Sequence, residues 1–247
     1  MPMSEKVSVE TLRFRQRLPL DLKIEYSKAR IREWYDHWGG EVFVFFSGRK
    51  DSTVLLHLVR SIYPEVPAVF LNTGVEYPEI VKFLRTVPNV VWLRPRMTFQ
   101  EVLKKYGVPI VSKESAQKIE EIRNTKSDRL RNKRLYGDSK GNGRLPEKWH
   151  FLVNAGFKIS GKCCNVLKKE PSTRYEKETG RKPYVGIMAS DGFLRETAYR
   201  KKGCNYFDGK RPMSTPIAFW LEKDVGNYIK LYKGAYSKIY DMGYDRT

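Results

Sequence analysis

The hexapeptide Ser47, Gly48, Arg49, Lys50, Asp51, Ser52 gathers two hydroxyls, a glycine, two cations and a carboxylate. It lies in "VFVFFSGRKDSTVLLHL", where an apolar strand runs into an apolar helix face. Such a junction aims free backbone N–H groups at one point, and the helix dipole adds partial positive charge there. Phosphate or pyrophosphate is the anion it suits. Ser47 and Ser52 supply hydroxyl donors and Lys50 a full charge, while Gly48 lets the backbone approach closely or take a positive φ. The spacing is not that of the Walker A loop, and no strand is followed by GxGxxG. An N-capped helix after a buried strand accounts for Ser47 or Asp51 alone, not for the whole hexapeptide.

The other reactive groups are Cys163, Cys164 and Cys204. Three cysteines are too few, and odd in number, for a disulfide framework, which leaves reduced thiols or metal ligands. His57, inside "LLHLV", reads as a core or boundary residue. His37 and His150 stand beside tryptophans without ligand spacing, so no histidine is assigned a role and no acid–base triad emerges.

The elements that must position these groups follow an α/β order. Residues 21–38 have helical apolar spacing and stop at Gly39-Gly40. "EVFVFFS", "PAVFLNTG" and "NVVWLRP" read as strands, nearly all apolar as expected for strands covered on both faces. Helices follow each: about 50–63, then "YPEIVKFLRTV" with Pro78 in its first turn, then "TFQEVLKKYG" between Thr98 and Gly107. A helix over 165–179, a late strand in "PYVGIMAS" and a helix opened by residues 222–224 complete the pattern. The expected fold is a doubly wound parallel sheet whose ligand sits beyond the carboxyl ends of the strands. Those ends carry residues 47–52 and Asn72, Thr73, Gly74. The expected organisation is an N-terminal helical extension over 1–40 and a nucleotide-binding domain over 41–247, with a basic insertion at about 113–148 outside the core. Within 123–134, six basic residues face one acid, Asp128.

Across 247 residues, 47 Lys and Arg against 28 Asp and Glu leave a net charge of +19, which favours polyanions as partners. No apolar run has membrane-spanning length and the N-terminus shows no signal-peptide core, so no membrane contact and a cytoplasmic location are expected.

The loop resembles the pyrophosphate-binding (PP) loop of the ATP pyrophosphatase and phosphoadenosine phosphosulfate (PAPS) reductase superfamily, the adenine nucleotide alpha hydrolase-like proteins. The usual loop is S-G-G-x-D-S, and here Arg49 replaces the second glycine. "LNTGVEYPEI" resembles the second-strand motif, "KCCNVLKKEP" the double-cysteine segment and "GIMASDGFLRETAY" the late strand and nucleotide-contacting turn, so that 41–247 is covered in order. The resemblance implies that Ser47, Gly48, Lys50, Asp51 and Ser52 cradle the phosphates of ATP or an adenylyl sulfate nucleotide. In it, Lys50 and Asp51 carry the chemistry and Mg²⁺ accompanies the nucleotide. Asn72, Thr73 and Gly74 lie by the nucleoside, Gly186 and Arg195 close on the ligand, and Arg49 faces a phosphate, the substrate or solvent.

Relatives that reduce adenylyl sulfate hold a [4Fe–4S] cluster on a CC pair and a later C-x-x-C. The resemblance thus makes Cys163, Cys164 and Cys204 candidate cluster ligands in a chain that continues beyond Thr247, or inert thiols in one that ends there. The C-terminal cysteine motif of thioredoxin-dependent PAPS reductases does not occur in the sequence. Three functions remain open: an enzyme of adenylation, sulfur transfer or sulfonucleotide reduction, with a sulfur donor or thiol reductant the sequence does not name; a nucleotide-binding regulatory module; and a nucleic-acid-binding protein acting through the basic arm.

Overall fold

The computed structural model describes residues 6–244. In chain order its elements are α1 (Val9–Arg17), α2 (Leu20–His37), β1 (Val42–Phe45), α3 (Lys50–Arg60), β2 (Ala68–Leu71), α4 (Pro78–Thr86) and β3 (Val90–Leu93). Next come α5 (Phe99–Tyr106), α6 (Lys113–Asn124), α7 (Asp128–Tyr136) and α8 (Glu170–Thr179). The last are β4 (Lys182–Val185), α9 (Phe193–Lys202), β5 (Asn205–Tyr206), β6 (Met213–Ser214) and α10 (Glu222–Leu231). The chain divides into two compact units. The first takes in the described residues of Met1–Leu71, Glu76–Leu93 and Tyr175–Thr247; the second takes in Asn72–Val75 and Arg94–Arg174.

The first unit is an α/β fold on a six-stranded sheet of order β3-β2-β1-β4-β6-β5, in which β5 alone runs antiparallel to its neighbour. Alternation in "VFVFF" explains the layers. Val42, Val44 and Phe46 enter the main core, while Phe43 and Phe45 meet Val69 and Tyr175 in a second cluster. The order reverses between β1 and β4, the kind of switch point that opens a crevice at the strand ends.

Residues read from sequence as an N-terminal extension are built into this core. Leu12, Ile31 and Trp34 are fully buried, at about 2 kcal/mol of hydrophobic stabilisation each. Lys23 Nζ, 1 % exposed, pairs with Asp224 at 2.6 Å and also donates to the Gln16 carbonyl. Ser27 Oγ accepts from the Trp220 indole at 3.0 Å and donates to the Pro216 carbonyl. The helix α2 thereby reaches α10 and the segment before it through buried polar contacts as well as apolar ones.

The second unit has its own small core of Ala116, Ile119, Ile122, Leu145, Leu152 and Ile159. Sequence patterning put 113–148 outside any core as a basic insertion. Instead α6 turns Ala116, Ile119 and Ile122 inward at helical spacing. The Arg123 guanidinium, an apparent member of the basic run, donates to the carbonyls of Leu152, Val153, Ala155 and Phe157. The helix α5 begins at the expected Thr98 cap, which the structure extends to a capping box with Glu101. Among the described residues no helix is long and apolar enough to cross a membrane.

Candidate phosphate-binding site

The strand β1 ends in the hexapeptide, and α3 begins within it. Gly48 has φ +73, and a Cβ there would stand 2.8 Å from Ile80 Cγ2 and 3.3 Å from Leu84 Cγ. Only glycine meets both demands, so the loop folds tightly over α4. The buried Ser52 ties the loop to itself: its Oγ donates to the Arg49 carbonyl at 2.9 Å and accepts from the Ser47 N–H at 3.2 Å. The Ser47 hydroxyl lies 3.1 Å from the same oxygen. The N–H groups of Gly48, Arg49, Asp51 and Ser52 donate to no described residue. They are the orphan donors of a turn and a helix start, the arrangement that receives an anion.

Arg49, the departure from the usual loop, takes φ −80 and ψ 158. That is extended backbone open to any residue, so this fold does not require the second glycine. Gly186, just after β4, faces the start of α3: a Cβ there would meet Ser52 Cα at 3.1 Å and the Asp51 carbonyl at 3.2 Å. Lys50 donates its N–H to the Tyr240 hydroxyl at 3.2 Å, and its ammonium lies 4.2 Å from the centre of that ring. Tyr240 belongs to a short 3₁₀ turn over Lys238–Met242.

A cleft of about 470 Å³ opens here, lined by Arg49, Lys50, Asp51, Asp191, Arg195, Glu222, Lys223 and Tyr240 among others. Burial first, then the charges of Asp191 and Glu222, push the Asp51 carboxyl up to about 6, against the opposing pull of Arg195 and Arg49. Arg195 is ion-paired with Asp191, whose carboxylate also accepts from the Met188 N–H at 3.1 Å. Sequence reading located Arg195 and Gly186 but missed Asp191, Glu222, Lys223 and Tyr240. Glu222 showed only as an acid opening a helix, and Tyr240 as one tyrosine among many near the C-terminus. Asp51, Asp191 and Glu222 line the cleft without being grouped to hold a metal ion by themselves; Mg²⁺ is usually bound by one or two carboxylates together with substrate phosphates and water.

Asn72, Thr73 and Gly74 belong to the second unit, where the Gly74 N–H donates to Asn72 Oδ1 at 3.2 Å and Gly74 takes φ +82. Cys204 is buried in the core of the first unit; Cys163 and Cys164 are half-buried in the second. Burial and the adjacent Cys164 push the Cys163 thiol up, towards its protonated form. Among the described residues no three of His, Cys, Asp and Glu are grouped to hold a metal ion. A [4Fe–4S] cluster wants four thiolates, so these three cysteines as placed do not fit one. His57 sits at the rim rather than in the core, with Nδ1 2.8 Å from the Tyr228 hydroxyl.

A mostly parallel sheet that reverses between β1 and β4, with a turn of free N–H donors at that point, defines a doubly wound α/β protein whose ligand crevice lies at the strand ends. The phosphoadenosine phosphosulfate reductase domain model matches residues 41–247, and the chain belongs to that family. Adenosine 5′-phosphosulfate reductase of Geobacillus kaustophilus is 25% identical over 221 residues, covering 85% of this chain and 72% of that one. An uncharacterised protein of Methanocaldococcus jannaschii is 26% identical over 220 residues; the match covers 87% of this chain but 37% of that relative's length. The phosphoadenylyl-sulfate reductase of Candida auris, solved as a phosphate complex, shares the fold at TM-score 0.53 and 17% identity, covering 98% of this chain and 96% of that one.

Proposed function

We propose that residues 47–52 hold the phosphates of an adenine nucleotide, ATP or adenylyl sulfate, for adenylation, sulfur-transfer or sulfonucleotide-reduction chemistry in the cytoplasm. The observation that carries this reading is the set of free N–H donors at Gly48, Arg49, Asp51 and Ser52, beside a cleft bearing Lys50 and Arg195. With ATP, an acceptor's nucleophile attacks the α-phosphorus, the bond to the bridging oxygen breaks, and pyrophosphate leaves with the electron pair. With adenylyl sulfate, a thiolate attacks sulfur, the S–O bond breaks, and AMP leaves. Negative charge gathers on a departing phosphate in both cases, and donors fixed before the reaction stabilise it without an acid–base triad. Bound Mg²⁺ would supply further neutralisation of phosphate charge.

Assays of the two products separate the chemistries. Pyrophosphate released from ATP with an acceptor marks adenylation; sulfite released from adenylyl sulfate or its 3′-phosphorylated form with a thiol marks reduction. Tight nucleotide binding with neither product would assign a regulatory module instead. Failure to bind any of these nucleotides overturns the proposal.

A further inference from the structure

The second unit holds most of the charge surplus. Residues 94–174 contain twenty Lys and Arg against eight Asp and Glu, a net +12 of the chain's +19. The structure shows which charges remain available. At least five of those acids are ion-paired within the unit, among them Glu120 with Lys162 and Glu121 with Arg134. By contrast the side chains of Lys113, Lys126, Arg129, Lys133 and Lys169 are exposed and make no hydrogen bond or ion pair with a described residue. No residue of α7 is fully buried, and of its cations Arg131 and Arg134 are ion-paired while Arg129 and Lys133 are not.

These charges accompany a concave surface. An open cleft is formed by α6, the start of α7 and residues 161–169. Lys113, Lys162 and Lys169 line it with the amides of Gln117, Asn124 and Asn165, and the two carboxylates that also line it, Glu120 and Glu121, are ion-paired with Lys162 and Arg134. Ammonium and amide donors in one groove match the oxygens of a phosphodiester chain. The same unit exposes three aromatic rings, Tyr136 at 70 %, Phe151 at 66 % and Phe157 at 47 %. A basic groove combined with exposed aromatic side chains is the combination that holds unpaired bases by stacking while tracking their backbone.

We propose that the second unit binds the backbone of a single-stranded nucleic acid segment through this cleft. Side-chain pairing in the fold neutralises part of the basic run, and exposed unpaired cations remain at the cleft, on α7 and elsewhere in the unit. The inference rests on the second unit alone and is independent of the nucleotide reading.

The test is fluorescence anisotropy with a short labelled single-stranded RNA, the same sequence as single-stranded DNA, and the corresponding duplex, over a range of salt. Both single strands should bind more tightly than the duplex, with affinity falling steeply as salt rises. Lys113→Glu with Lys169→Glu should weaken single-strand binding at least about tenfold, from lost phosphate contacts. Lys201→Glu with Lys210→Glu, the same charge change on exposed residues of the first unit, should change it less than about threefold. Tyr136→Ala should weaken single strands and leave the duplex unaffected. Thermal melts verify folding of each variant, and Lys50→Ala should leave nucleic-acid affinity intact, which separates failure of this proposal from failure of the nucleotide reading. Equal losses from the two charge-reversal pairs, stronger binding to heparin than to any strand, or no binding at low salt would overturn it.

Discussion

At Arg49 the sequence departs from the usual loop, yet its backbone is extended and its side chain lines the cleft. Replacement by glycine therefore should not rescue a strained turn. Arg49→Gly is expected to leave folding cooperative, cost under about 1 kcal/mol, and weaken nucleotide binding by roughly threefold to tenfold through the lost charge. Titration calorimetry and a thermal melt read the two effects separately. Asp51 sets a different test. Its carboxyl is pushed up to about 6 from an ordinary 3.8. The folded chain then binds a proton more tightly than the unfolded chain between those values, so stability is lost as pH rises through that window. Asp51→Asn should stabilise the ligand-free protein by about 2 kcal/mol at neutral pH, and the gain should shrink towards pH 4. A constant gain across that range would contradict the account. The hexapeptide was legible in the sequence because its residue types are anomalous for an ordinary turn. Asp191, Glu222 and Tyr240 were not, because each enters from a distant stretch whose local pattern has another sufficient explanation.

At the scale of elements, the strand-to-helix order and helix caps could be read directly. The apolar run of β1 and the Thr98/Glu101 capping box carry their own physical signatures. The helix α6 escaped because its Lys and Arg content hid a narrow apolar stripe, α7 because none of its residues is fully buried, and Arg123 because it serves carbonyls that its own neighbourhood does not reveal. The join of β1 to α3 is tightly packed and sensitive to substitution. Gly48→Ala combines a positive φ with a Cβ 2.8 Å from Ile80, and should cost about 2–3 kcal/mol in a denaturant titration. A loss below 0.5 kcal/mol, within the ordinary range of surface substitutions, would show that the loop can relax away from α4.

For the molecule as a whole, 1–40 was legible as helical but not as part of the core. The reason is Lys23: a charged residue in an amphipathic helix reads as solvent-facing until its partner Asp224, two hundred residues on, is seen to be buried with it. Lys23→Ala should leave that carboxylate unpaired and cost about 3–5 kcal/mol, measured as a lowered midpoint of unfolding. A neutral result would place the helix outside the cooperative core. The family membership, the parallel sheet and the anion-ready turn converge on one central claim, that residues 47–52 receive nucleotide phosphate. Titration calorimetry of ATP and of adenylyl sulfate against the wild type, Lys50→Ala and Ser52→Ala tests it most directly. The account predicts binding of at least one nucleotide, weakened about tenfold or more by each variant while the fold persists. Unchanged affinity in both folded variants would contradict it.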